Sequence, residues 1–310
     1  MEKKATVQVL MSTYNGEKYL VQQVDSILNQ QNVDVHLLIR DDGSTDGSVD
    51  VIQKLKKKYN SKIEYYKGKN VGYKKSFLDL TKNTDKNFDF FAFADQDDYW
   101  MPQKLCSAIN HLTNNLNSIQ LYASTVIITD ENLKPLYKKD ISDFVNSFGS
   151  SLSRIRLAGC TYVFNGKALE MLNKFDWSDI PNKEMPSHDG LLMTICQAVN
   201  GYVYVDQEAY LLHRRRAESV TSGGNGILKR INNERKMMFD CRNDKSTLSL
   251  RIYDTFETQL SPVNKKLINE VMNYKDSLSN RLRLVKNKQL NCGLKLGNLE
   301  TKIRIMTGYF

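Results

Sequence analysis

The chain has 310 residues, 41% of them hydrophobic and 25% charged, with a formal net charge of +9. Its size suits one large α/β domain with an appendage, or two domains, of ordinary globular composition. Five scattered cysteines without a C-x-x-C argue against a cysteine-rich zinc module or a disulfide framework, and no apolar run is long enough to span a bilayer. With no signal-peptide core at the N-terminus, a reducing cytoplasm is the expected setting.

Thr6 to Met11 form the first predicted strand, followed by the turn Ser12-Thr13-Tyr14-Asn15-Gly16. Tyr19, Leu20, Val24, Ile27 and Leu28 then recur at helical spacing. Val33 to Ile39 is a second strand, and Arg40 to Gly47 a polar loop. Val49, Ile52 and Leu55 mark a helix whose last turn holds Lys56, Lys57 and Lys58, where cations complement the helix dipole. Ile63 to Tyr66, a turn at Asn70 and Gly72, a helix through Phe77, Leu78 and Leu80, and a strand from Phe88 to Ala94 complete four strand–helix alternations. That pattern predicts a mostly parallel, doubly wound, Rossmann-like sheet. Neither G-x-G-x-x-G after the first strand nor G-x-x-x-x-G-K-[ST] is present, which argues against a dinucleotide oxidoreductase or a P-loop NTPase.

The fourth strand runs into Asp95-Gln96-Asp97-Asp98-Tyr99-Trp100. Carboxylates cannot be left unpaired in a sheet core, so these belong at the strand's carboxyl end, where open α/β sheets bind ligands. The spacing of Asp95 and Asp97 lets both face one hard divalent cation, Mn2+ or Mg2+. The plainer alternative is an acidic turn capping a helix that starts at Pro102.

That helix is expected to run from Pro102 to Leu116, followed by a strand from Leu121 to Thr129. Asp130 to Ser153 reads as an irregular loop near a site. Arg156 to Phe164 reads as a strand carrying Gly159-Cys160-Thr161, and a helix follows from Ala168, ending before Trp177. Ser187-His188-Asp189 open a further helix, Gly201 to Val205 is a strand, and His213 to Thr221 is a basic, then polar, segment. The linker Ser222-Gly223-Gly224-Asn225-Gly226 divides a domain at 1–222 from a basic helical region at 227–310. There Leu267, Val271, Tyr274, Leu278, Leu282 and Val285 step as one amphipathic stripe, suited to intradomain packing or a homodimer. Residues 227–310 hold all the excess positive charge, which suggests an acidic partner such as an anionic membrane surface or a polyprenyl diphosphate; the alternative is a solvated face. The tail lacks an aromatic-basic module, so nucleic acid is not expected as a partner.

Three segments together, Ser12-Thr13-Tyr14-Asn15-Gly16, Asp41-Asp42-Gly43-Ser44-Thr45-Asp46 and Asp95-Gln96-Asp97-Asp98-Tyr99-Trp100, resemble family 2 glycosyltransferases of the GT-A fold, in particular bacterial rhamnosyltransferase-like enzymes of surface polysaccharide assembly. The resemblance covers roughly residues 5 to 220, a span typical of one α/β domain. It implies an inverting hexosyltransferase that moves a sugar from a nucleoside-diphosphate donor, dTDP-rhamnose or a UDP-hexose, to a hydroxyl of a glycan acceptor expected to be lipid-linked. It places Asp97 as the direct cation ligand and Asp95 between ribose and cation. Asp41 falls at the nucleobase edge, Asp42 nearby, and Ser12 and Tyr14 along the base. Asp189 matches the acidic position of the general base, and Trp100 and His188 are assigned to the substrate pocket, His188 in a structural role. The chain departs from the family at Arg216, which stands where relatives carry a metal-completing histidine. Arginine has no acceptor for a cation but can bind diphosphate. Either Arg216 replaces part of the cation's work, or His213 moves into the site, or the protein is a catalytically impaired nucleotide-sugar binder. A peripheral position at the inner face of the plasma membrane is the corresponding location.

Overall fold

The computed structural model describes residues 4–112, 117–178, 180, 185–215 and 243–310. The elements in chain order are β1 (Ala5–Thr13), α1 (Leu20–Leu28), β2 (Val33–Asp41), α2 (Ser48–Tyr59), β3 (Ile63–Lys67), α3 (Tyr73–Asn83) and β4 (Phe90–Ala94). They continue with β5 (Tyr99–Trp100), α4 (Lys104–His111), β6 (Gln120–Thr129), β7 (Pro135–Lys138), α5 (Phe148–Ser153), β8 (Val163–Asn165) and α6 (Gly166–Lys174). The remainder are α7 (His188–Ala198), β9 (Tyr202–Arg214), α8 (Asp244–Phe256), α9 (Pro262–Met272), α10 (Leu278–Val285) and α11 (Lys295–Thr307).

The chain divides into two compact units, one of residues 1–141, 157–173 and 202–216, the other of 142–156, 174–201 and 217–310. Two segments that precede the boundary drawn at 222–227, namely 142–156 and 174–201, thus group with the C-terminal region. The linker itself lies outside the described residues.

The first unit contains the sheet, ordered β3-β2-β1-β4-β8-β6-β9-β5, with β7 added on β6. The pairs β3–β2, β2–β1 and β1–β4 are parallel, as the alternation predicts. Val7, Val9, Leu10 and Met11 in β1 and all of β4 are buried, the near-continuous apolar run of a strand covered on both faces. The other half of the sheet is mixed. Strand β8 runs antiparallel to both β4 and β6, while β9 runs parallel to β6 and antiparallel to β5. Doubly wound geometry therefore covers the first four strands only. The expected strand from Arg156 shrinks to the three residues of β8, because Gly159–Thr161 forms a 3-10 turn ahead of it. Conversely β9 runs on to Arg214, carrying part of the presumed basic segment into the sheet. The expected loop 130–153 holds β7 and a short helix capped by Ser147, whose side chain accepts from Ser150 N. Helix α4 starts at Lys104, two residues after Pro102, and ends at His111; positions 113–116 of the expected helix lie outside the described residues.

The second unit is helical. Most of α7 is buried on every side, as a uniformly apolar helix must be. The tail stripe is not one helix. Leu267, Val271 and Tyr274 are buried, but the chain turns after α9 and Ser277 caps a new helix by accepting from Asn280 N at 3.1 Å. Leu278 and Leu282 are consequently exposed. No helix among the described residues is long and apolar enough to cross a membrane.

Candidate functional site

In the first unit, the turns after β1, β2 and β4 are tied together by side chains. Gln96, between the two acids of the D-x-D, is the main tie. Its Oε1 accepts from Thr13 Oγ1 at 2.6 Å and from Tyr14 N at 2.9 Å, and its Nε2 donates to Tyr14 O at 3.1 Å. A Cβ on Gly16 would collide with this amide, so any side chain there would have to push Gln96 out of its bonds to the first turn. The first turn is joined to the second by Asn15 N to Ser44 Oγ (2.9 Å), Thr45 N to Asn15 Oδ1 (2.8 Å) and Gly16 N to Ser48 Oγ (2.8 Å). Asp46 does turn duty, accepting from Ser48 N and Glu17 N. Sequence reasoning missed Gln96, whose only signal is an amide set between two acids.

The acids of the first unit differ in what they have left to offer. Asp42 is fully engaged: it pairs with buried Arg40 and accepts from Val71 N (3.0 Å) and Gly72 N (2.9 Å). It shapes the 68–72 turn. Asp41, 1% exposed, accepts from Ser44 N through Oδ1, while its buried Oδ2 has no hydrogen-bond partner among the described residues. A buried acceptor left unmade is costly, and that cost points to a donor arriving with a ligand. Ser12 shares its hydroxyl with Ser76 at 2.5 Å, and Tyr14 is half exposed beside the turn.

Asp95, Asp98, Cys160 and His213 bring ligand-type atoms within 4.8 Å of one another. Asp98 and Cys160 are missing from the residues expected from sequence, and Asp97 is not part of this group. Asp98 is wholly buried; its Oδ1 lies 3.0 Å from His213 Nδ1 and accepts from Arg214 N at 3.2 Å, while Oδ2 is without a partner among the described residues. The charge of Asp98 raises the His213 pKa to about 9, so His213 is an imidazolium at neutral pH. Burial, together with Asp98 and Asp95, holds the Cys160 thiol well above its usual range. Metal ligands must be deprotonated, so a cation entering this group would have to displace the proton that Asp98 favours on His213, and the carboxylates suit a hard cation. Arg214, 5% exposed, locks the acidic turn from behind. Its Nε donates to Asp97 O at 2.7 Å, Nη2 to Gln22 Oε1 at 2.8 Å and Nη1 to Glu131 O, and its guanidinium lies over the Tyr19 ring.

Trp100 is corrected by the structure. It is 1% exposed and belongs to the core cluster with Leu105 and Leu211, because its large ring is worth more buried than presented to a polar substrate. His188, in the second unit, is likewise buried, and burial lowers its pKa to about 4, so it is neutral and lines no open surface. Ser187 caps α7 by accepting from Gly190 N at 3.3 Å. Asp189, partly exposed in the first turn, also accepts from Gly190 N, at 2.8 Å, and is thereby relieved of being the sole cap. Arg216 lies outside the described residues.

Lys104 is a residue that sequence reasoning passed over. It is 1% exposed, its Nζ lies 3.6 Å from the Trp100 ring centroid, and it has no hydrogen-bond partner among the described residues. Burial lowers its pKa from 10.5 to about 7, outweighing the charges of Cys160 and Asp98, which favour the charged form. A lysine whose folded pKa is depressed costs stability that is recovered as pH rises from about 7 to 10.5, so stability climbs across that window and is level below it. Lys104→Met should raise the melting temperature at neutral pH and flatten that alkaline rise, which thermal melts across the window will show. An unchanged slope would mean that Lys104 is not the group responsible.

The family model described as Glycosyl transferase family 2 matches residues 8–172. Among characterised relatives, the dTDP-rhamnosyl transferase RfbG of Shigella flexneri is 38% identical over 120 residues, covering 38% of this chain and 41% of that protein. The Escherichia coli UDP-Glc:alpha-D-GlcNAc-diphosphoundecaprenol beta-1,3-glucosyltransferase WfaP is 31% identical over 111 residues, 34% of this chain and 41% of that one. The matches thus span about two fifths of either relative's own length. The crystal structure of S. aureus TarS 1–349 in complex with UDP-GlcNAc superposes with a TM-score of 0.60 at 14% identity, over 98% of this chain and 91% of that one. That likeness is one of fold: a GT-A, Rossmann-like sheet followed by a helical C-terminal region.

Proposed function

The chain belongs to glycosyl transferase family 2, and from that premise we propose that it is an inverting enzyme transferring a sugar from a nucleoside-diphosphate donor to a hydroxyl of a lipid-linked glycan in cell-surface polysaccharide synthesis. The observation that carries the donor reading is the buried, unpartnered Oδ2 of Asp41 at the carboxyl end of β2, where open α/β sheets take their ligands. Asp41 would accept a hydrogen bond from the nucleobase edge, and the exposed ring of Tyr14 would stack on its face. Gln96 holds the Tyr14 backbone for that contact. Asp95 and Asp97, with Asp98 as a third carboxylate, would hold a divalent cation, Mn2+ or Mg2+. Such an ion supplies charge neutralisation of the diphosphate leaving group. Asp189 would take the proton of the acceptor hydroxyl.

RfbG supports dTDP-rhamnose as donor and WfaP supports a UDP-hexose and a diphosphoundecaprenol-linked acceptor, by their own names. A panel of nucleotide sugars, with release of nucleoside diphosphate as the readout, distinguishes the two. The catalytically impaired reading rested on Arg216, and turnover of any donor in that panel removes it. Asp41→Asn should raise the KM for the preferred donor about 10- to 100-fold with little change in kcat, the loss of one charge-assisted hydrogen bond. An unchanged KM removes Asp41 from the base-binding role.

A further inference from the structure

Helix α11 presents an apolar stripe to solvent. Leu296 is 81% exposed, Leu299 53%, Ile303 41% and Met306 38%. At about 100° per residue these four fall within an arc of roughly 80°, while Gly297, Thr301, Arg304 and Ile305 turn inward. Lys295 and Lys302, both exposed, lie together along one edge of the stripe. From Leu278 to Phe310 the chain has seven basic residues and one acid, Glu300. That acid is engaged, with Arg154 Nη1 at 2.8 Å and Arg304 Nη1 at 3.9 Å. Among the described residues neither Lys295 nor Lys302 makes an ion pair, and Glu300 lies on the other edge of the stripe, turned to its arginines. It is a different surface from the stripe expected at 267–285, half of which is core.

We propose that the exposed face of α11 docks on an anionic lipid bilayer surface, with Leu296, Leu299, Ile303 and Met306 entering the headgroup–acyl boundary and Lys295 and Lys302 meeting the anionic headgroups. An apolar stripe edged by lysines is the pattern of a helix lying in a membrane interface. Charge decides between that surface and a second copy of the chain. In a two-fold antiparallel pairing, Lys302, near the middle of the stripe, would face its own counterpart with no carboxylate to offset it. An anionic bilayer satisfies the same lysines. The docking surface deepens the proposed function, since it would bring the enzyme to a lipid-linked acceptor, but it does not depend on which glycan is used.

The test is flotation of the full chain with vesicles of phosphatidylglycerol and phosphatidylcholine, against vesicles of phosphatidylcholine alone. The chain is expected to float with the anionic vesicles about tenfold or more in excess over the neutral ones. Leu299→Glu/Ile303→Glu should abolish flotation, and Lys295→Glu/Lys302→Glu should abolish the preference for anionic lipid. Melting temperature and turnover with a soluble acceptor should be unchanged in both, because these side chains are exposed and lie outside the proposed catalytic groups. Failure of the parent chain to float, or equal flotation of the double leucine/isoleucine variant, overturns the proposal. A dimer in sedimentation that the same variant dissolves, without vesicle binding, assigns the face to a second copy instead. Donor turnover is read separately, so loss of the docking proposal leaves the transferase reading standing.

Discussion

Asp189→Asn is expected to lower kcat about a thousandfold while leaving the donor KM and the melting temperature near those of the parent. A positioned base contributes about a hundred- to ten-thousandfold to a proton-coupled step, and asparagine cannot accept that proton at neutral pH. The fold should tolerate the change for a local reason. Ser187 caps α7, and an asparagine Oδ1 can still accept from Gly190 N as Asp189 does. A loss of activity therefore cannot be blamed on an unravelled helix start. Steady-state release of nucleoside diphosphate with acceptor present is the measurement. A variant that retains parental kcat removes Asp189 from catalysis and sends the search for a base elsewhere.

Asp97→Ala should abolish measurable transfer, a loss of about a thousandfold or more, together with a large fall in cation affinity by calorimetry. The separation of fold from function is again built into the structure. Arg214 Nε donates to the backbone carbonyl of Asp97, a bond that alanine keeps. Asp98, which anchors the other side through His213 and the Arg214 amide, is untouched. Retained transfer with parental cation affinity would take Asp97 out of the metal role and leave Asp95 and Asp98 as the carboxylates in question.

The parallel half of the sheet was legible because its strands are dense apolar runs separated by helices with clear three- and four-residue spacing. The aspartates at the end of β4 were legible because a sheet core excludes them. What escaped was set by partners far away in sequence. Asp98 becomes distinctive only when β9 carries His213 and Arg214 past it, and that strand was expected to stop at Val205. Gln96 means nothing until the first turn folds over it. Trp100, assigned to the substrate pocket with the resemblance, instead has its ring in the core, where the two-residue strand β5 turns it. The tail stripe failed at Ser277, where a cap outweighed an apolar period that would have continued.

The amide of Gln96 has a thermodynamic consequence. One side chain fastens the turn expected to receive the nucleobase to the turn expected to seat the cation. A ligand that settles either turn lowers the ordering cost left for the other, so nucleotide and cation should each raise the other's affinity by the same factor. A donor would then be gripped firmly only in company with its ion, and a nucleotide stripped of it would leave readily.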